Sequence, residues 1–86
     1  MFIILAYDIG CRRVGKVMKI CRKYLFHVQR SVFEGHMTER TLEQLKEDLF
    51  RVIEPEEDSV CIYRMDSTRY TVKEQLGIAE RHSRII

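Results

Sequence analysis

Apolar residues open the chain as an unbroken run, Phe2-Ile3-Ile4-Leu5-Ala6-Tyr7, closed by Asp8. Branched and aromatic residues at this density read as a buried strand. Ile3, Leu5 and Tyr7 share one face of it and Phe2, Ile4 and Ala6 the other, so both faces need cover. After Ile9-Gly10 the period changes. Val14, Val17, Met18, Cys21, Tyr24 and Leu25 recur at helical spacing and predict a first helix over residues 11–25. Gly15 inside it costs about 1 kcal/mol against alanine, a hint of close packing there. Residues 26–35 are β-rich, but the alternation is imperfect: Val28 is in phase with Arg30 and Val32, while Gln29 shares its face with Ser31 and Phe33. That pattern predicts a bulge or tight break near Arg30-Ser31, and residues 27–37 fit either one bent strand or a hairpin.

Thr38 is a suitable N-cap for a second helix, with Glu39 complementing its dipole. Leu42, Leu45, Leu49, Val52 and Ile53 form its apolar stripe, Pro55 ends it, and Glu56-Glu57-Asp58 read as an acidic turn. Residues 59–65 are apolar on both faces, as expected of a central strand. A last extended segment over 70–78 carries Val72, Leu76 and Ile78, and the tail 79–86 is polar until Ile85-Ile86. Helices alternating with strands predict an α+β fold, a two-layer plait with one sheet covered by helices on one side. With 27–37 as a hairpin the order becomes βαββαβ, the ferredoxin-like topology, over residues 1–78. The other sheet face is apolar and bare, and a second copy of the chain is the simplest cover.

Eighty-six residues make one domain. A hydrophobic content of 45% with 33% charged residues is that of a globular protein rather than a disordered one. The longest apolar stretch is far short of a bilayer span and the start lacks a basic region, so neither a membrane nor a signal peptide is expected. Cys11, Cys21 and Cys61 are odd in number and lack CxxC spacing, which argues against a disulfide framework and a zinc site and for a reducing cytoplasm. His27, His36 and His82 lack metal-ligand spacing. There is no nucleophile–base pair and no glycine-rich phosphate loop, so covalent catalysis and P-loop hydrolysis find no support.

Charge is distributed unevenly. Residues 1–33 carry seven cations and one anion, Asp8, whereas residues 34–58 carry three cations and nine anions. The first stretch offers a cationic surface for phosphate; the second repels nucleic acid and suits a basic protein partner or plain solvation. Arg12, Lys16, Lys19 and Lys23 fall at i, i+4, i+7 and i+11, one exposed stripe. Asp8 stands where the first strand meets its loop, facing that stripe. A carboxylate so placed suits metal-assisted phosphodiester chemistry; capping the following helix is the other job open to it.

Ala6-Tyr7-Asp8-Ile9, the basic first helix, the run Val28-Gln29-Arg30-Ser31-Val32-Phe33-Glu34-Gly35 and the later Cys61-Ile62-Tyr63-Arg64 resemble a known family over nearly the whole chain. It is the small CRISPR-associated adaptation protein, CRISPR-associated protein two, whose members are described as endoribonucleases. The resemblance implies a ferredoxin-like homodimer with sheets stacked face to face, the C-terminal segment of each protomer adding to its partner's sheet and the tail 79–86 packing on the partner or staying disordered. The family's metal-binding aspartate falls on Asp8, with magnesium or manganese (Mg2+ or Mn2+) as the implied ion. Its helix-one arginines fall on Arg12 and Arg13, and its serine and phenylalanine on Ser31 and Phe33. His27 stands where a basic residue often precedes Val-Gln. Lys16 and Lys19 extend the expected phosphate contacts. Tyr7 is expected to line the site, and Phe33 to serve the dimer core or stack on a base. The implied function is a metal-dependent endonuclease of RNA or duplex DNA acting in spacer acquisition with the CRISPR integrase subunits. The alternative is a non-catalytic dimer that bridges those subunits and grips the spacer duplex.

Overall fold

Strand β1 (Phe2–Asp8) alternates in burial along its length: Ile3, Leu5 and Tyr7 are buried, and Phe2, Ile4 and Ala6 half-buried. The computed structural model describes residues 1–67 and 70–78. Elements follow β1, α1 (Val14–Tyr24), β2 (Phe26–Gln29), β3 (Val32–His36), α2 (Glu39–Phe50), β4 (Ser59–Ser67) and β5 (Tyr70–Gly77). The strands form one antiparallel sheet in the order β2-β3-β1-β4-β5. The first four reproduce the ferredoxin-like arrangement, and β5 is added at an edge.

Ile3, Leu5 and Tyr7 join Phe33 of β3 and Val60 and Ile62 of β4 on the covered face, in one core with Val17 and Cys21 of α1 and Leu42, Leu45 and Leu49 of α2. The helices are tied to each other as well, Tyr24 Oη donating to Asp48 Oδ2 at 2.6 Å. The other face carries Phe2, Ile4, Ala6, Val32, Cys61, Tyr63 and Met65. These are half-buried and none belongs to the core. The centre of that face is apolar, with Glu34 and His36 of β3 and Lys73 and Gln75 of β5 flanking it, and it lacks a covering layer among the described residues.

Several boundaries depart from the sequence expectation. Helix α1 starts at Val14, not at residue 11, because Arg13 N and Val14 N both bond to the Gly10 carbonyl (2.9 and 3.1 Å) and fold residues 10–13 into a turn. Gly15 is not closely packed: among the described residues an added Cβ there would meet nothing within 4 Å. Residues 27–37 form a hairpin, broken where Arg30 adopts φ +43°, with a register shift between His27 and Gln29. Thr38 caps α2 as expected, accepting from Thr41 N at 3.1 Å. The helix stops at Phe50 because the amides of Val52 and Ile53 both turn to the Leu49 carbonyl, before Pro55 is reached.

The expectation that the C-terminal segment adds to a partner's sheet is corrected by β5, which pairs with β4 of its own chain from Ser59↔Gly77 to Ser67↔Tyr70. Side chains reinforce that pairing. Glu74 of β5 takes Lys46 of α2 at 2.6 Å and Arg64 of β4 at 3.4 Å, and Arg64 also pairs with Glu39. The expected tail, 79–86, lies outside the described residues.

Candidate metal and nucleic-acid site

Strand parity decides where Asp8 points. It follows Phe2, Ile4 and Ala6, so it stands at the end of the uncovered face, opposite Ser59 of β4. Its side chain is exposed, and among the described residues it has no hydrogen-bond or ion-pair partner. Helix capping is not its job. The N-cap of α1 is Arg13, and no side chain caps that end.

The loop after Asp8 is organised by the last residue of the acidic turn 56–58. Asp58 is fully buried. Its Oδ1 accepts from Gly10 N and Arg13 Nη2, both at 2.9 Å, and its Oδ2 from Arg13 Nε at 2.6 Å and Glu54 N at 2.8 Å. Arg13 Nη2 also reaches Glu57 at 3.1 Å. The Arg13 guanidinium, with the amides of Glu54 and Gly10, holds the Asp58 carboxyl far below the usual carboxylate range, and Asp58 in turn raises Arg13 above its own. Arg13, expected on the phosphate side, therefore has its planar fork engaged within the chain. Arg12 beside it is exposed. One signal for Asp58 was present in the sequence: a carboxylate directly before a strand that is apolar on both faces.

Lys16, Lys19 and Lys23 are exposed along α1 as expected, while Arg12 precedes the helix in the 10–13 turn. The first turn of α1 holds no acidic residue, so the positive end of its helix dipole is not balanced from within that turn. On the other side of Asp8, Tyr7 N donates to the Ser31 carbonyl at 3.1 Å, which brings the β2–β3 turn beside the end of β1. Ser31 is half-buried in that turn.

Tyr7 and Phe33 sit elsewhere than the site-lining and dimer-core roles expected of them. Both belong to the helix-covered core, Phe33 fully buried and stacked on Tyr7 with ring centroids 6.0 Å apart. Burial raises the Tyr7 hydroxyl pKa above its ordinary value, which removes it further from acting as a base. His27 covers the outer side of Phe33, its ring 4.6 Å away and nearly parallel, and Nε2 donates to the Arg30 carbonyl at 2.6 Å. The His27–Phe33–Tyr7 row thus braces the turn that carries Ser31.

The donors suit some ions and not others. No group of three or more His, Cys, Asp or Glu residues gathers among the described residues, which leaves zinc without a ligand set. A hard ion that keeps most of its waters and takes one or two carboxylates fits a single exposed aspartate, and magnesium and manganese meet that description. Asp8 is such a carboxylate, one from each chain.

The strand order and two helices on one face define a ferredoxin-like α+β plait with an extra edge strand. The family model described as CRISPR associated protein Cas2 matches residues 1–72. The CRISPR-associated endoribonuclease Cas2 of Dictyoglomus turgidum is 45% identical over 78 residues, covering 91% of this chain and 90% of the relative. The protein of the same name from Thermotoga maritima matches with the same identity and coverage. Among solved structures, a crystal structure of cas2 superposes with a TM-score of 0.75 at 38% identity, covering 84% of this chain and 82% of that one. Streptococcus pyogenes Cas2 at pH 6.5 gives 0.71 at 28% identity, covering 79% and 89%. The chain belongs to the Cas2 family of CRISPR-associated proteins. No helix among the described residues is long and apolar enough to cross a membrane.

Proposed function

We propose that this protein is a metal-dependent phosphodiesterase of CRISPR adaptation, an endoribonuclease by the name its relatives carry, working as a homodimer through Asp8. The observation that carries this reading is the Asp8 carboxylate: exposed, unpartnered among the described residues, and at the rim of the uncovered sheet face next to a cationic helix. Two chains stacked through that apolar face bring two Asp8 residues to one interface, the number of carboxylates magnesium commonly takes. Arg12, Lys16 and Lys19 hold backbone phosphates of RNA or duplex DNA, Arg12 with a free fork suited to bidentate contact. Ser31 offers a hydroxyl beside the strand end. Bound magnesium or manganese supplies charge neutralisation at the scissile phosphate and a lowered pKa for water.

The test is cleavage of RNA and of duplex DNA over a range of Mg2+ concentrations by wild type and Asp8→Asn. The variant keeps size and removes the charge a hard ion needs. Metal-dependent cleavage is expected to fall by at least about a hundredfold with fold and dimer intact. Unchanged cleavage by rigorously purified Asp8→Asn refutes the assignment. Sedimentation at micromolar concentration tests the dimer: a species of 10.3 kDa alone overturns it.

A second reading is favoured by the single carboxylate per chain and the absence of a three-ligand cluster among the described residues. In it the dimer is an architectural bridge between CRISPR integrase subunits that grips the spacer duplex by its phosphates. Spacer integration in vitro with Asp8→Asn separates the two: integration that persists while cleavage is lost makes the bridge the cellular role.

A further inference from the structure

Asp58 is a fully buried carboxylate that the chemistry proposed above does not use. Its four accepted hydrogen bonds come from three places: the loop that follows Asp8, the turn that follows α2, and the guanidinium at the start of α1. Its main chain reaches a fourth. Ile78 N donates to the Asp58 carbonyl at 3.0 Å, and a Cβ on Gly77, whose φ is +88°, would run into that same oxygen. A buried carboxylate with this many charge-assisted and amide donors is rigid, because moving it leaves several buried groups unmatched.

We infer that Asp58 is a positioning residue for the Asp8 site, acting through Gly10 and Arg13. Ile9 is all that separates Asp8 from the Gly10 amide that Asp58 holds, so the carboxylate fixes where strand β1 ends and how its last side chain leaves the sheet. By engaging Arg13 it also sets which arginine faces solvent. The fork of Arg13 is bound inward and Arg12 is exposed, so of the two arginines in the loop after Asp8 it is Arg12 that is open to a phosphate among the described residues. Groups that orient a metal ligand from behind typically matter by about 10–100-fold in activity or metal affinity, without touching the ion. This inference rests on the reading of Asp8 as the metal ligand.

Asp58→Asn keeps the shape but cannot accept at every position it now serves. Measured beside wild type and Asp8→Asn, its kcat for RNA cleavage is expected to fall at least about tenfold, with KM changed less than about twofold because the exposed cations still grip phosphate. Hydrogen exchange of the Gly10 and Arg13 amides, read without metal and well below the unfolding temperature, is expected to quicken about tenfold or more while α2 and β4 are unaffected. The double variant Arg13→Gln/Asp58→Asn replaces the ion pair by a neutral hydrogen-bonded pair and is expected to recover part of both losses. Arg13→Lys, which keeps the charge but gives up the fork, serves if Asp58→Asn does not fold and is expected to show the same split to a smaller degree. Wild-type kcat in folded Asp58→Asn, alongside inactive Asp8→Asn, overturns the positioning role and leaves Asp8 standing. If Asp8→Asn still cleaves, the proposed function fails instead. Gly10 exchange then judges Asp58 alone: quickening confined to residues 9–13 and the Glu54 amide upholds it as the anchor of that loop, and unchanged exchange overturns it.

Discussion

Two aspartates serve the same corner of this molecule and are treated in opposite ways. Asp8 ends β1 with an exposed carboxylate that has no partner among the described residues. Asp58, just before β4, is fully buried and accepts four hydrogen bonds, two of them from one guanidinium. A charge that the protein has already matched is structure, because its removal strands donors inside the fold. A charge left unmatched at a surface costs little to keep and is free to meet a ligand. Arg12 and Arg13 repeat the contrast one step along the chain, the first exposed and the second bound inward.

Stability separates the two aspartates most widely. Removing one partner of a buried ion pair typically costs about 3–5 kcal/mol, so Asp58→Ala is expected to lose that much in urea denaturation. This is a large share of the roughly 5–10 kcal/mol that holds a small domain together. Asp8→Ala is expected to stay within about 0.5 kcal/mol of wild type, as exposed unpaired positions do. Equal losses at both positions would erase the distinction.

Acid sharpens the same contrast. The folded-state pKa of Asp58 is depressed, first by Arg13 and then by the amides of Glu54 and Gly10. A depressed carboxylate contributes stability that is fully present above its unfolded pKa, about 3.9, and is lost as pH falls below it toward the folded value. Asp48, lowered by Tyr24, and Glu74, lowered by Lys46, add to the fall in the same direction. Urea midpoints between about pH 5 and 2 are therefore expected to drop in wild type and to drop less steeply in Asp58→Asn. An equally steep fall in the variant assigns the acid lability to Asp48 and Glu74.

The contrast between these residues was only half legible in the sequence. Asp8 could be read because it ends an unmixed apolar run, and strand parity alone puts it on the Phe2–Ile4–Ala6 face. The hairpin at Arg30-Ser31 announced itself as a fault in alternation, and Thr38 as a cap. Asp58 could not be read as buried, because its partners lie 45 and 48 positions away at Arg13 and Gly10. Only its place directly before β4 separates it locally from Glu56 and Glu57, which are exposed. The same long-range pairing shortened α1 at its start, since the 10–13 turn is held from across the fold. Phe33 was misplaced for a related reason. Its face depends on how the hairpin resumes after the break, and the resumed register with β1, Leu5↔Phe33, turns it toward the helices.

Nucleic-acid binding tests the arginine pair. Phosphate contacts release counterions, so the affinity for duplex DNA is expected to fall steeply with salt and to depend little on sequence. Replacing Arg12, Lys16 and Lys19 together by glutamine is expected to reduce the log–log salt slope by about three, near one per contact. Arg13→Lys is expected to leave that slope nearly unchanged, because its guanidinium is engaged with Asp58 and Glu57. Fluorescence anisotropy across a salt series reads both. A larger loss of slope at Arg13 than at Arg12 would mean that the inward pair opens on binding.

The smallest expected effect concerns the helix that carries those cations. Gly15 lies one residue into α1, exposed, with open space where a Cβ would stand. No contact there calls for glycine. Its backbone is helical, so the residue lowers stability only through the freedom it gives the unfolded chain and its poor helix propensity. Gly15→Ala is expected to stabilise the protein by about 0.5–1 kcal/mol in urea denaturation, toward the lower figure because the position is in the first turn. The methyl group adds no charge, so the salt slope for duplex DNA should not change. Gly77→Ala is its opposite, since that glycine has positive φ and lies against the Asp58 carbonyl, and it is expected to destabilise. If Gly15→Ala instead weakens phosphate binding while the fold is strengthened, the open space at residue 15 is where the nucleic-acid backbone approaches the helix.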